Sequence, residues 1–367
     1  MIRYYNSLTK TTEEFTPRVA GRVGLYTCGP TVHDYAHIGN FRTFVWEDLL
    51  RRHLEWRGLD VHHVMNITDV EDKIIKKAHE AGVEIGAFTE KYTKAFFEDI
   101  ATLRLEPAHQ YPRATEHIAE MIAMIQQLEA KGLTYVADGS VYYRIASFPA
   151  YGRLMGFKRE ALRSGVRIDA DEYAKDDPAD FVLWKNSKPG EPVWDSPWGP
   201  GRPGWHIECS AMAIKYLGNT FDLHTGGVDN KFPHHENEIA QSEPATGCTF
   251  VHTWMHASHL VVEGEKMSKS LGNFYTLRDL LDRGHHPRTL RYVLIGSHYR
   301  KALDFSFKAM EQAKGELARI DEFRARLADV PSGPASGFAA RADRALDAFG
   351  ECLDDDLNIS GAIGEVF

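Results

Sequence analysis

Val23-Gly24-Leu25-Tyr26-Thr27-Cys28-Gly29-Pro30 is a short apolar run closed by glycine and proline, and it predicts a buried strand. Downstream, Phe44, Val45, Leu49, Leu50 and Leu54 recur at helical spacing between Phe41 and Trp56, with Gly58 as a stop. Val61 to Ile67 reads as the next strand. Strand, helix and strand in this order form the building block of a parallel sheet, which binds ligands at the carboxyl ends of its strands.

Further along, Ala114 to Lys131 is amphipathic and closed by Gly132, Leu133 to Ala146 alternates like a hairpin, and Ser187 to Gly204 is dense in proline and glycine. This region interrupts the sheet. The sheet is expected to resume at Gly204, with a strand at Thr220 to Thr225, a helix at Glu236 to Ser242 and extended chain from Val251 to Val262. From Lys308 the pattern is helical, broken by a loop at Val330 to Gly337, and it is still helical at Phe367. No internal repeat is visible.

A chain of 367 residues is too long for one ordinary core, so two or three domains are expected. Its apolar content of 43% and charged content of 26% are those of a soluble globular protein. No apolar run approaches the roughly 18 residues needed to span a bilayer. Met1 to Phe15 mixes Arg3 and Lys10 with Glu13 and Glu14 and lacks the apolar core of a signal peptide, so cytoplasm is the expected compartment. Cys28, Cys209, Cys248 and Cys352 are too few and scattered for a disulfide framework, which makes metal binding the use to consider. The net charge of −9 weighs against a nucleic-acid partner, although Arg288, Arg291, Arg300 and Lys301 fall close together and read either as a local basic patch or as a solvated helix face.

Two segments suit phosphate chemistry, although taken alone the first also reads as a coincidental turn and the second as a solvent-exposed basic turn. Pro30-Thr31-Val32-His33-Asp34-Tyr35-Ala36-His37-Ile38-Gly39-Asn40 sits where the first strand hands over to a helix, whose exposed amides and macrodipole favour an anion, while Gly39 allows close approach of backbone. Lys266-Met267-Ser268-Lys269-Ser270 lies in a polar stretch between Leu260-Val261-Val262 and Leu271, beside Gly264 and Gly272. Two ammonium groups on such a loop suit neutralisation of charge on a departing pyrophosphate. A metal site is also legible. Glu238 lies four residues after His234, so both point to one helix face, and Cys28 and Cys209 both fall where the sheet opens. Thiolate, imidazole and carboxylate are sensible zinc ligands. His235 and Glu236 compete for these roles, and Cys248 and Cys352 compete with the other two cysteines.

Together the two phosphate segments resemble the ATP motifs of class I aminoacyl-tRNA synthetases. With Gly24 to Pro30, Asn66-Ile67-Thr68-Asp69, Gly204-Trp205-His206-Ile207-Glu208-Cys209-Ser210 and Phe232-Pro233-His234-His235-Glu236-Asn237-Glu238, the chain is similar to the cysteinyl-tRNA synthetase family over nearly its whole length. The resemblance implies an α/β fold. A Rossmann-like parallel-sheet catalytic domain (1–112 and 201–257) would be split by an inserted connective domain (113–200). A stem-contact segment (258–313) and the start of an α-helical anticodon-binding bundle (314–367) would follow. Relatives continue beyond this length, so Asp354-Asp355-Asp356-Leu357-Asn358 is expected to begin a helical domain present only in part.

It also implies roles. His37, Lys266 and Lys269 would be catalytic, with Gly39, Asn40, Gly227, Asp229 and Lys269 on the nucleotide and Gly226 bordering the ribose. The family pattern reads His-Ile-Gly-His, and here Asn40 replaces the last histidine; it can donate a hydrogen bond but carries no charge. Thr68, Trp205 and His224 would lie near the amino acid; taken singly they read as a helix cap, a buried aromatic and a strand histidine, and Asp229 as a turn residue. One zinc ion per chain would sit on Cys28, Cys209, His234 and Glu238. Cysteine differs from serine by one atom, and discrimination of about 10⁴ to 10⁵ needs roughly 5.5 to 7 kcal/mol, more than an apolar pocket supplies. A soft metal preferring the thiolate supplies it. ATP with Mg²⁺, L-cysteine and tRNA(Cys) are the expected partners of a cytoplasmic monomer without a membrane. The alternatives are a cysteine ligase acting on an amino-sugar acceptor and a non-catalytic paralogue that binds nucleotide or cysteine.

Overall fold

Four parallel strands form the sheet that positions everything else: β1 (Arg22–Thr27), β2 (Asp60–Met65), β3 (Phe221–Gly227) and β4 (Val251–Ala257), in the order β4-β3-β1-β2. The computed structural model describes residues 1–157, 175–330 and 337–367. Successive connections leave β1 in opposite directions, to β2 on one side and β3 on the other. The carboxyl ends of β1 and β3 therefore flank a topological switch point, where such sheets open a crevice for ligands.

Side-chain alternation along β1 sorts the two faces. Val23 and Leu25 point into the core packed by Leu50 and Leu54 of helix α1 (Ile38–Trp56). Tyr26 and Cys28 point the other way, into a core built with Ile207 and Met212 of helix α2 (Trp205–Leu217) and Ile239 of helix α3 (His234–Thr246). Helix α1 begins three residues before the expected Phe41, because His37 caps it and forms a reciprocal pair of hydrogen bonds with Asn40. Arg42 of α1, almost wholly enclosed, donates to the carbonyls of Leu294, Ser297 and His298 and so closes the end of helix Pro287–Ile295.

Between β2 and α2 the chain forms helices Asp72–Ala81, Ile85–Thr102 and Ile118–Ala130, then a four-stranded antiparallel sheet of Thr134–Ala137, Ser140–Tyr143, Phe181–Asn186 and Gly201–Pro203. The expected hairpin at Leu133 to Ala146 is its first pair. Residues 158–174 of the expected insertion lie outside the described residues. Glu236 ties the insertion to α3 by accepting from the amides of Gly152, Leu154 and Met155.

After β4, Leu260–Val262 pairs with Leu303–Phe305 in parallel and with Glu265–Lys266 in antiparallel. Helices Phe307–Ala328, Gly337–Asp354 and Ile359–Val366 end the chain. The expected loop at Val330 to Gly337 falls mostly outside the described residues, which omit 331–336. The acidic turn before the last helix is docked on the sheet unit: Asp354 accepts from His53 at 2.9 Å and Arg57 at 2.8 Å, and Asp356 accepts from Tyr299 at 2.6 Å and Arg300 at 2.7 Å.

Candidate active site

The crevice has a buried wall built from the ends of β1 and β3 and the first turns of α2 and α3. Cys28 follows the last residue of β1 and keeps the ladder by donating its amide to the carbonyl of Thr225 at 3.2 Å. Its sulfur lies 3.2 Å from His235 Nε2. His234 and Glu238, one helical turn apart on α3, bring Nε2 and Oε1 to 3.1 Å. The donor atoms of Cys28, His234, His235 and Glu238 all lie within 4.8 Å of one another. Cys209, in the second turn of α2, lies in the same buried core as Cys28 but outside this group of four, in which His235 takes the place expected for it. Glu238 Oε1 is buried and makes no hydrogen bond, because its approach to His234 lacks hydrogen-bonding geometry. An orphaned carboxylate oxygen beside a thiol and two imidazoles, with a second thiol in the same core, is a donor set that fits zinc.

Burial sets the proton states of this wall. It pushes the Cys28 thiol well up, reinforced by Cys209 and by the carboxylates of Glu238 and Glu47. At Cys209 the neighbouring Cys28 lowers the thiol, but burial and the carboxylates of Glu238 and Glu208 outweigh it and leave it raised. Burial pulls His234 down to about 3 and His235 well below its ordinary value. The imidazoles are therefore neutral at pH 7, the form that can ligate a metal.

The three residues expected near the amino acid line this wall. Trp205 stacks on His234 with ring centroids 4.3 Å apart. His224 stacks on Trp254 at 4.6 Å, and its Nε2 lies 3.0 Å from Glu238 Oε2. Thr68 donates its hydroxyl to Glu208 at 3.1 Å and receives the amide of Asn66 at 3.2 Å, while Asn66 accepts from Gly29. Glu208 is buried, and its second oxygen has no partner.

The other side of the crevice carries the two phosphate segments, docked on each other. Ile38 donates its amide to the carbonyl of Tyr275 at 2.9 Å, and His37 packs edge-on to Phe274 at 5.1 Å. The Asn40 amide donates to His37 Nδ1 at 3.2 Å, which leaves Nε2 as the protonated nitrogen. Burial lowers His37 to about 4 although Asp229 opposes it, so this imidazole is a neutral hydrogen-bond donor. In the first turn of α1, Gly39 alone keeps an amide with no protein acceptor among the described residues. A β-carbon on Gly39 would sit 3.0 Å from the His37 ring and 3.2 Å from Met267 Cε, so glycine is what lets the two segments meet. At Gly227 a β-carbon would fall 2.3 Å from Asp229 Oδ1. Lys266 and Lys269 are exposed, and Lys269 Nζ lies 3.0 Å from Asp34 Oδ2.

Several groups here escaped the reading of the chain. Asp34 and Lys77 carry no local signal, because their partners lie far along the chain: Lys77 Nζ is 2.8 Å from the same Asp34 oxygen that meets Lys269. His206 and His256 are buried behind the wall, 2.9 Å from His234 Nδ1 and 2.8 Å from His235 Nδ1. His206 could have been found from its place three residues before Cys209 on one helix. Of the two competitors on α3, His235 faces the wall and Glu236 faces the insertion. Cys248 is exposed and Cys352 packs beside the C-terminal helices. The three arginines of the basic stretch serve the fold: Arg288 pairs with Asp321, Arg291 with Asp48 and Arg300 with Asp356.

Residues 14–315 match the family model for the class I (C) tRNA synthetase catalytic domain. The cysteine–tRNA ligase of Brachyspira hyodysenteriae is 51% identical over 100% of this chain and 79% of its own length. That of Solibacter usitatus is also 51% identical, with the same coverage of both chains. Among solved structures, a Mycobacterium tuberculosis methionyl-tRNA synthetase in complex with methionyl-adenylate superimposes with a TM-score of 0.71 over 94% of this chain and 81% of its own, at 16% identity. That likeness speaks for the fold.

Proposed function

The chain belongs to the cysteine–tRNA ligase family of class I tRNA synthetases, and from this premise we propose that it activates L-cysteine with ATP and transfers the cysteinyl group to tRNA(Cys). In the first step a carboxylate oxygen of cysteine attacks the α-phosphorus of ATP, the bond to the β-phosphate bridge breaks, and cysteinyl-adenylate and pyrophosphate result. In the second, a ribose hydroxyl of the tRNA's terminal adenosine attacks the cysteinyl carbonyl and AMP leaves. Mg²⁺ travels with the nucleotide.

In this reading the chain's own groups position and neutralise. His37 donates Nε2–H to a phosphate oxygen beside the Gly39 amide, with Asn40 holding the imidazole in that tautomer. Lys266 and Lys269 meet the negative charge that gathers on leaving pyrophosphate. Asp229, next to Gly227, accepts from the ribose. Cys28, Cys209, His234 and Glu238 would hold zinc, with His235, whose Nε2 lies 3.2 Å from the Cys28 sulfur and whose Nδ1 lies 2.8 Å from His256, as the competing ligand. Zinc bound there supplies a soft acceptor for the substrate thiolate that serine's hydroxyl cannot match. Trp205 and His224 wall the thiol in, and Thr68 lies toward the amino acid's polar end.

The observation that carries this reading is the convergence, at one switch point, of a buried thiol, imidazole and carboxylate cluster with two docked phosphate segments. No described helix is long and apolar enough to cross a membrane, and we infer a cytoplasmic monomer. The test is cysteine-dependent ATP–pyrophosphate exchange with serine as competitor, zinc analysis of the same sample, and transfer to tRNA(Cys) against an amino-sugar acceptor. Exchange with cysteine only, about one zinc per chain and transfer to tRNA are expected. Exchange followed by transfer to the amino sugar alone would replace the acceptor, and binding without exchange would end the ligase reading.

A further inference from the structure

Asp34 Oδ2 is shared by two ammonium groups, Lys77 at 2.8 Å and Lys269 at 3.0 Å, so these nitrogens lie no more than about 5.8 Å apart. They come from different elements: Lys77 from helix Asp72–Ala81, tied to the insertion by Asp72 and His79, and Lys269 from the chain after β4. Asp34 stands three residues before His37, which places all three groups at the seam where the two phosphate segments dock. One carboxylate cannot neutralise two ammoniums, so Asp34, Lys77 and Lys269 together carry one net positive charge. A nucleotide triphosphate demands more positive charge than the loop alone brings. The two nearby histidines cannot add it, since burial keeps both His33 and His37 below their ordinary values and neutral at pH 7. Lys77 is a partly exposed cation on a different element from the loop and within its reach, and two cations converging on one oxygen form an anion clamp.

We propose that Lys77 is a third cation of the nucleotide's phosphate site, and that Asp34 gathers it with Lys269 so that an incoming phosphate oxygen meets both ammoniums at once. This rests on the ligase reading above. Lys77 contacts the β- and γ-phosphates and stays with them as pyrophosphate departs, while Asp34 is a positioning residue whose Oδ2 meets the two lysines and whose Oδ1 accepts the Tyr35 amide. The fold does not depend on the pair, because both side chains are partly solvated and such pairs contribute little to stability.

The experiment is ATP–pyrophosphate exchange on the full chain, with ATP, pyrophosphate and cysteine varied separately for the unaltered protein, Lys77→Gln and Lys77→Arg. Lys77→Gln is expected to raise KM for ATP and for pyrophosphate by about tenfold while KM for cysteine and zinc content stay within about twofold. Lys77→Arg, which keeps the charge, should recover most of the loss. ATP and pyrophosphate constants unchanged in Lys77→Gln would overturn the proposal, as would an equal rise in KM for cysteine or no recovery with arginine, either of which marks a structural role. Absence of exchange in the unaltered protein would sink the ligase reading instead, so the two failures are told apart.

Discussion

The two sides of the crevice are built by opposite rules. On the metal side Cys209, His234 and Glu238 are at most 1% exposed, and their neighbours are fixed in turn, as when Gln241 donates to the His206 carbonyl and to Ser210. On the phosphate side the Lys269 side chain is 67% exposed and rests on a single shared carboxylate oxygen. The difference suits what each side is proposed to do. Telling a thiol from a hydroxyl depends on donor geometry that exists before the substrate arrives, so it suits a buried wall. Neutralising pyrophosphate is useful mainly in the transition state, so it suits side chains free to follow the charge.

Breaking the buried side should have the largest effect. Cys28→Ala is expected to lose most of the zinc and to lower cysteine-dependent exchange at least about a thousandfold, as removal of a selectivity-bearing polar contact does; zinc analysis and exchange on one sample check it. Breaking the exposed side should be milder and separable. Lys269→Gln is expected to lower kcat for exchange by about a hundredfold, with zinc content, KM for cysteine and melting temperature nearly unchanged. If Lys269→Gln also lost zinc, the two sides would not be independent.

How far each side could be read from the chain follows the same divide. The fold was legible because β1 and α1 carry their burial in local periods, Val23 and Leu25 to one face and Tyr26 and Cys28 to the other. His234 and Glu238 were legible because the helical repeat puts them on one face. His235, a neighbour on the helix, was not assigned: its reach to Cys28 depends on how closely the first turn of α3 abuts the end of β1. Asp34, Lys77 and Lys269 were unreadable as a group, since their contacts span 43 and 235 positions. The basic stretch misled for the same reason. Arg291 pairs with Asp48, 243 residues away, and no local charge count reveals that.

Acid should sharpen the contrast at intermediate size. His63 on β2 is buried against Thr27 at 2.9 Å and held at about 3, first by burial and then by the Arg51 charge. In the unfolded chain its value is the ordinary one of about 6.5. As pH falls below 6.5 the unfolded state takes up the proton first, so this histidine's contribution is complete above pH 6.5 and drains away down to about pH 3. One such group removes about 2 kcal/mol between pH 6.5 and pH 5. Metal-free protein should therefore show a urea midpoint markedly lower at pH 5 than at pH 7 with an unchanged slope. Equal midpoints would mean that the buried imidazoles are not held neutral.

The smallest effect is expected at Cys248. It is an exposed thiol just past α3, bonded only to the nearby backbone and Thr246, and it shares a helix end with no ligand of the buried wall. Cys248→Ser should leave zinc, exchange and melting temperature as they were, whereas Cys209→Ser, an equal change of one atom in the buried wall, should release the metal. The pair isolates position from chemistry, because both substitutions remove one sulfur and only one removes it from the crevice. Zinc lost from Cys248→Ser would show that the metal does not reside in the wall, and the division between a buried selecting side and an exposed neutralising side would fall with it.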